Sequence, residues 1–124
     1  MYNYQKVKAI HNHGNNQWFL IPEIVKDFVN DTKEILKDNL IKDYLFGSYA
    51  KNEQSELSDI EILIIVKDFN AMLRKDISSL SFNYSLEKDI VISPIIKDVH
   101  VWEKNKKYDM LFYREISKYG IELL

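Results

Sequence analysis

The sequence predicts an α/β (α+β) fold in which helices flank a mixed β-sheet. Segments with the 3.6-residue period of helices alternate with short strand-like runs, an order that implies a sheet covered by helices. The run 59–66 is rich in isoleucine, leucine and valine without clean alternation, which is typical of a strand buried on both faces. Because 124 residues have room for one core but not two, we expect a single domain over 1–124.

Three segments carry apolar residues at helical spacing and are predicted to be helices: 22–38, 70–86 and 107–119. Pro22 suits the first turn of the first helix. Asp68 or Asn70 is available to cap the second helix, and Gly120 ends the third.

Four further segments are predicted to be strands: 41–46, 59–66, 89–96 and 121–124. Pro94 lies inside the third of these strands, and a proline there indicates an edge strand or a bulge. The first dozen residues are polar, so we expect them to be poorly fixed. The run "EKNKK" from Glu103 is expected to be a solvated loop.

Composition excludes several classes of protein. Seventeen basic and nineteen acidic side chains give a formal charge of −2, which argues against an extended nucleic-acid surface. The chain has no cysteine, so it forms neither a disulfide nor a thiolate metal site, and this agrees with a reducing cytoplasm. No apolar run approaches the ~20 residues of a membrane span, and the N-terminus lacks the apolar core of a secretory signal.

Two acidic residues, Asp59 and Glu61, stand at the head of the most apolar strand. Residues i and i+2 of a strand project from the same face, about 6.6 to 6.8 Å apart, so the two carboxylates face the same way. Magnesium prefers such hard oxygen ligands. Asp89, which opens the next predicted strand, is the natural third ligand. Each of these acids is also compatible with an ordinary solvated strand end.

Upstream of this pair, Gly47 and Ser48 form a Gly-Ser step. Glycine lets the backbone approach a phosphate closely, and the serine hydroxyl can donate to a phosphate oxygen. The N–H groups of a following helical turn would favour an anion. The same pair is also compatible with a simple turn.

Histidine offers another class of metal ligand. His11 and His13 form an H-x-H pair in a polar segment, and His100 is expected in a loop. Three scattered imidazoles are more often surface groups than ligands, so this reading is the weaker one.

The stretch "GSYAKNEQSELSDIEILIIV" resembles the signature of the minimal nucleotidyltransferases of the DNA polymerase beta superfamily. That signature is Gly-Ser, ten residues, then Asp-x-Asp. Gly47 and Ser48 match its first part, Asp59 matches the first acid, and Asp89 before "IVIS" matches the third acid. The tail "LFYREISKYGIELL" resembles the helix-glycine-strand ending of stand-alone members. The resemblance covers about 42–124.

This resemblance implies a nucleotidyltransferase-like fold and transfer of a nucleoside monophosphate from ATP or another nucleoside triphosphate to a hydroxyl acceptor, with magnesium or manganese. It implies that Asp59, Glu61 and Asp89 are the catalytic and metal-binding residues. It implies that the nucleotide-binding residues are Gly47, Ser48 and Lys51.

The chain departs from the family pattern at two positions. Asn52 stands where the family usually has glycine, and Glu61 replaces the second aspartate. The additional methylene moves the carboxylate outward by about one C–C bond, whereas magnesium tolerates little departure from octahedral geometry.

Two functions therefore remain open. The chain is either an active nucleotidyltransferase or a catalytically impaired module that binds nucleotide or protein, such as an antitoxin that pairs with a HEPN-type ribonuclease toxin. The chain has no room for an added acceptor domain, so a partner protein, a second copy or the segment 1–20 must complete the acceptor site. We expect neither a membrane nor a nucleic-acid partner.

Overall fold

The computed structural model describes the backbone of residues 4–11 and 16–123 and the side chains of residues 22–123. The described elements, in chain order, are β1 (Tyr4–His11), β2 (Asn16–Pro22), α1 (Glu23–Leu36), a 3-10 turn (Lys37–Asn39), β3 (Leu40–Phe46), β4 (Ile60–Val66), α2 (Ala71–Lys88), β5 (Ile92–Asp98), α3 (Val99–Lys107), α4 (Leu111–Tyr119) and β6 (Ile121–Glu122).

The six described strands form one sheet in the order β2-β1-β6-β3-β4-β5. Neighbouring strands are antiparallel except β4 and β5, which run parallel and are joined through α2. The predicted mixed sheet flanked by helices is confirmed. The strand that carries Pro94 lies at one edge of the sheet, where a missing N–H is tolerated.

The central strand β4 is covered on both faces, as its composition predicts. Ile60, Ile62 and Ile64 belong to a core cluster with residues of α1 and α2, including the fully buried Phe28. Leu63 and Ile65 alternate with them and belong to a second cluster with residues of α3 and α4. Because successive strand residues point to opposite faces, this one strand contributes to both cores.

The first two predicted helices form, α1 directly after Pro22 and α2 with a side-chain cap. Pro22 is the residue before α1, so its fixed φ directs the chain into the first turn. Asn70, rather than Asp68, caps α2, because its Oδ1 accepts a hydrogen bond of 2.8 Å from the N–H of Leu73. The amide of Asp68 instead donates to Asn39 Oδ1 at 2.9 Å.

The prediction of one helix over 107–119 after a loop is wrong. The "EKNKK" run lies in α3, so His100 also lies in a helix rather than a loop. Asp98 starts this helix by accepting a 2.7 Å hydrogen bond from the N–H of His100. Trp102 is buried beneath it. The chain then breaks at Asp109, whose φ of 50° is left-handed, before α4 begins.

Residues 4–11, for which the sequence predicted no helix or strand, form the strand β1. The backbone of β1 pairs with β2 from Tyr4↔Pro22 to Ile10↔Asn16, and its other edge pairs with β6 through His11↔Ile121. Pairing on both sides makes a strand of a segment whose own sequence did not predict one. The hypothesis of an H-x-H metal pair falls on His13 and on the side chain of His11, which lie outside the described residues.

Within the described part of the chain, no helix has the length and apolar character needed to cross a membrane.

Candidate active site

Strand register brings the Gly-Ser step and the acidic pair to one end of the sheet. β3 ends at Phe46, which pairs with Glu61 of the antiparallel strand β4, and Gly47 follows directly. On its other side Glu61 pairs with Ser93 of the parallel strand β5. Residues that are well separated in sequence therefore meet where β3 ends and β4 and β5 begin.

Asp59 and Glu61 project toward the sheet face that α3 and α4 cover. Glu61 alternates with the core residues of the opposite face, and Asp59 is two residues before it. Asp59 is exposed, and its Oδ2 accepts a hydrogen bond of 3.3 Å from Ser93 Oγ. Ser93 was not predicted from the sequence, because only the pairing of β4 with β5 places it beside Asp59.

The carboxylate of Glu61 lies directly over Gly47. Gly47 has a φ of +73°, and a Cβ atom added to it would lie 2.9 Å from Glu61 Cδ and closer still to Oε2. Any other residue at this position would therefore be strained by its backbone and would overlap the carboxylate. Glu61 occupies the space beside the glycine through which a phosphate was expected to approach.

The turn after the Gly-Ser step is helical in character, as predicted. The carbonyl of Gly47 accepts hydrogen bonds from the N–H groups of Ala50 and Lys51 at 3.1 and 3.2 Å, and the carbonyl of Ser48 accepts one from Glu53 at 2.8 Å. Asn52 has a left-handed φ of 58°. Asparagine enters this region more readily than most residues, which explains how it stands in for the glycine usual in the family pattern.

Lys51 points toward α4. Its Nζ lies 2.9 Å from Glu115 Oε1 and 4.7 Å from the centroid of the Tyr119 ring. The hydrogen bond to Glu115 raises the pKa of the Lys51 ammonium. The predicted nucleotide-binding lysine is thus engaged by two side chains of the last helix.

Asp89 does not open a strand, so that part of the prediction is wrong. It is the left-handed residue that ends α2, with a φ of 54°, and β5 begins only at Ile92. The change has a local reason, because an αL residue after the last helical turn ends a helix and aspartate tolerates that conformation better than most residues. The chain two residues after Asp89 meets the start of β4, because the N–H of Ile60 donates a 2.9 Å hydrogen bond to the carbonyl of Val91.

The donor set of the three acids, all carboxylate oxygens, is the type that magnesium prefers. Among the side chains of residues 22–123, however, no three aspartate, glutamate, histidine or cysteine side chains are grouped closely enough to hold a metal ion. The predicted convergence of Asp59, Glu61 and Asp89 on one point is not seen in this structure.

A family model described as polymerase beta, nucleotidyltransferase, matches residues 30–124. The chain belongs to this family. The matched region begins upstream of the Gly-Ser signature and includes the end of α1.

Two curated relatives come from Methanocaldococcus jannaschii. MJ0141 is 41% identical over 104 residues, which are 83% of this chain and 98% of the relative. MJ0604 is 33% identical over 97 residues, which are 77% of this chain and 90% of the relative. The names of both relatives provisionally describe them as protein adenylyltransferases.

A solved structure has the same fold. It is the toxin-antitoxin complex MntA-HpeT, in a mutant form with two aspartates replaced by glutamate. Its TM-score to this chain is 0.52 at 19% identity, and the match covers 80% of this chain and 72% of the solved chain. At this identity the likeness concerns the fold alone.

Proposed function

We propose that this member of the family transfers a nucleoside monophosphate from ATP or another nucleoside triphosphate to a hydroxyl acceptor, with magnesium or manganese. The observation that carries the proposal is the pairing of Phe46 with Glu61, because it sets the Gly47-Ser48 step beside the acidic pair. Membership of the nucleotidyltransferase family supports the reaction class. The pairing of β1 with both β2 and β6 supports the further proposal that 1–124 act as one domain.

Each side chain has a role in this reaction. Asp59, Glu61 and Asp89 would hold the metal ions once a rearrangement brings their carboxylates together, since they are not grouped in this structure. The bound ions would neutralise charge on the triphosphate and the leaving group. The hydroxyl of Ser48 donates a hydrogen bond to a phosphate oxygen. Gly47 lets the phosphate approach the backbone once the Glu61 carboxylate has moved aside. Lys51 pairs with the triphosphate after release from Glu115.

The reaction is an in-line displacement at the α-phosphorus. The acceptor oxygen forms a bond to that phosphorus, the bond between the α-phosphorus and the bridging oxygen breaks, and pyrophosphate leaves with the electron pair. Asp89 takes the proton of the acceptor hydroxyl. Positioning and charge neutralisation supply most of the rate in phosphoryl transfer.

We propose that the acceptor hydroxyl belongs to a partner protein. The names of the two relatives support this acceptor class, and the fold shared with a toxin-antitoxin complex supports pairing with another protein, such as a HEPN-type toxin. The partner, or a second copy of the chain, would complete the acceptor side of the cleft.

A second candidate is a catalytically impaired module that acts by binding nucleotide or a partner. The specific observation in its favour is the position of Glu61, whose carboxylate rests on Gly47 and belongs to no metal-binding group of three acids among the described side chains. A glutamate carboxylate in this position occupies the space beside Gly47 that a phosphate would need.

The test is transfer of α-labelled nucleotide to proteins recovered with the chain from native lysate and to a co-expressed partner. Under the first proposal wild type labels a protein and Asp59→Asn abolishes labelling, because it removes a charge from the metal site. Asp76→Asn, on the exposed side of α2, is the matched control and leaves labelling unchanged. Labelling that survives Asp59→Asn would overturn the metal assignment.

Glu61→Asp separates the two candidates. If the glutamate impairs the site, Glu61→Asp restores the shorter side chain and increases labelling. If the enzyme is adapted to glutamate, the same substitution decreases labelling, because a ~1 Å misplacement of a ligand can lower the rate about 100-fold. If no form labels any protein while nucleotide or partner binding persists, the binding module is the correct reading.

A further inference from the structure

Strand β3 buries a carboxylate that the proposed reaction does not use. Asp43 is 3% exposed, and its Oδ2 has no hydrogen-bond partner among the residues that the structure describes. It alternates with Tyr44 of the α3 and α4 face, so it lies on the α1 side of the sheet with Leu45. A buried acceptor without a partner is unfavourable, which makes this oxygen a candidate for contact with a ligand.

A groove of about 530 Å³ has Asp43 among its lining residues. Its described walls carry three lysines and one further acid besides Asp43: Lys33, Lys37, Lys42 and Glu122. Leu123 of the last described segment also lines it, and the amide of Leu123 donates a 3.0 Å hydrogen bond to the Asp43 carbonyl. The groove therefore combines exposed cationic side chains with the buried acceptor of Asp43.

The charges of the groove favour an anion. Lys42 and Glu122 pair with each other at 3.0 Å and cancel. Lys33 and Lys37 form no ion pair with a described residue, so together with Asp43 they leave an excess of one positive charge when all three are ionised. Lys33 is close enough for its charge to act on the Asp43 carboxyl group. A ligand that suits the whole groove is an anion that also carries a hydrogen-bond donor.

We propose that this groove binds hydrogen phosphate or the monoanion of a phosphomonoester. The P–O–H group donates to Asp43 Oδ2, while the other phosphoryl oxygens accept hydrogen bonds from Lys33 and Lys37. Sulfate carries no proton at neutral pH, so it cannot donate a hydrogen bond to Asp43 Oδ2. A sulfate oxygen beside this carboxylate would place two hydrogen-bond acceptors against each other. The groove therefore selects a protonated oxyanion, because a buried polar group left unpaired opposes binding.

This site is separate from the Gly47-Ser48 step. Asp43 faces α1, whereas Glu61 projects from the opposite sheet face, and the groove lies toward the start of β3 while Gly47 follows its end. The inference therefore goes beyond the proposed transfer reaction, and either proposal can fail without the other.

The test is titration of the whole chain with inorganic phosphate and, separately, with sulfate at equal ionic strength and pH 7.5, followed by backbone amide NMR. Phosphate should shift the amides of Lys37, Asp43 and Leu123 with saturation, and should bind at least about tenfold more tightly than sulfate. A titration with glycerol phosphate at the same pH of 7.5 distinguishes the sources, because its dianion, unlike hydrogen phosphate, carries no P–O–H donor and should bind as weakly as sulfate.

Variants assign the contacts. Asp43→Asn should lower the preference for phosphate over sulfate to less than about threefold, since an amide can donate to either anion. Lys37→Gln should weaken phosphate binding by about threefold or more, because it removes a cation from the groove. Lys75→Gln, an exposed lysine of α2, is the matched control and should change nothing.

Three results would overturn the proposal: equal binding of the two anions by wild type, shifts without saturation, or shifts confined to residues 47–52. Lys37 is exposed, so Lys37→Gln and the comparison of anions on wild type decide the question even where Asp43→Asn alters folding.

Discussion

The register of β3 and β4 places Glu61 in direct contact with Gly47, because Glu61 pairs with Phe46, the residue immediately before the glycine. The Glu61 side chain is one methylene longer than that of aspartate. Its carboxylate lies over the turn, in the space that a Cβ atom on residue 47 would fill. Glu61 departs from the family pattern, and its carboxylate can take this position only because Gly47, which matches the pattern, has no Cβ atom.

Gly47→Ala should reduce folding stability by about 1 to 3 kcal/mol, because it adds both a left-handed φ penalty and an overlap with Glu61. In a Glu61→Ala background the overlap disappears and only the backbone cost remains. Urea denaturation of the two single variants and the double variant measures this coupling. Additive costs would show that the carboxylate does not rest on Gly47 in solution.

Magnesium with ATP should raise the melting temperature, because a ligand that binds only the native state stabilises it, by about 2.7 kcal/mol at a hundredfold excess over Kd. Asp59→Asn should reduce the shift, since Asp59 stands at the head of β4. Thermal unfolding with and without EDTA measures the effect. No shift, with no binding in calorimetry, would contradict nucleotide binding in both candidate functions.

Glu115→Gln should release Lys51 from α4 and strengthen ATP binding a few-fold at low salt, while Lys51→Gln should weaken it. The reason is competition between one carboxylate and the triphosphate for the same ammonium. Calorimetric titration at two salt concentrations measures both variants, with Lys75→Gln as control. Weaker binding by Glu115→Gln would show that the ion pair holds the site together instead.

Ionisation of Asp43 should lower the free energy of unfolding as pH rises from about 4 to 6. Burial raises its pKa from 3.8 to about 6, so the folded state binds a proton that the unfolded state has released. The contribution is fully present below pH 3.8 and is lost as pH passes 6, with an upper limit of (6 − 3.8) × 1.36, or about 3 kcal/mol.

The difference in unfolding free energy between wild type and Asp43→Asn, measured by urea denaturation across this pH range, isolates that contribution from the other acids. Wild type should lose stability relative to the variant as pH rises. Parallel pH profiles for the two proteins would contradict the buried, raised carboxyl group.

The sequence by itself determined the elements that carry their own local signals. α1 and α2 follow from apolar spacing with Pro22 and Asn70 at their starts, and β4 follows from its richness in isoleucine, leucine and valine. The Gly-Ser step with its spaced acids is equally local, because backbone conformation at Gly47 and side-chain parity within β4 need no distant partner.

Tertiary structure alone decided the features that depend on pairing between distant segments. The polar β1 is a strand because β2 and β6 complete its hydrogen bonds. Ser93 reaches Asp59 because β4 and β5 run parallel in one register. The carboxylate of Glu61 rests on Gly47 because the end of β3 pairs beside it, and hydrogen bonds between strands are satisfied only in the assembled sheet.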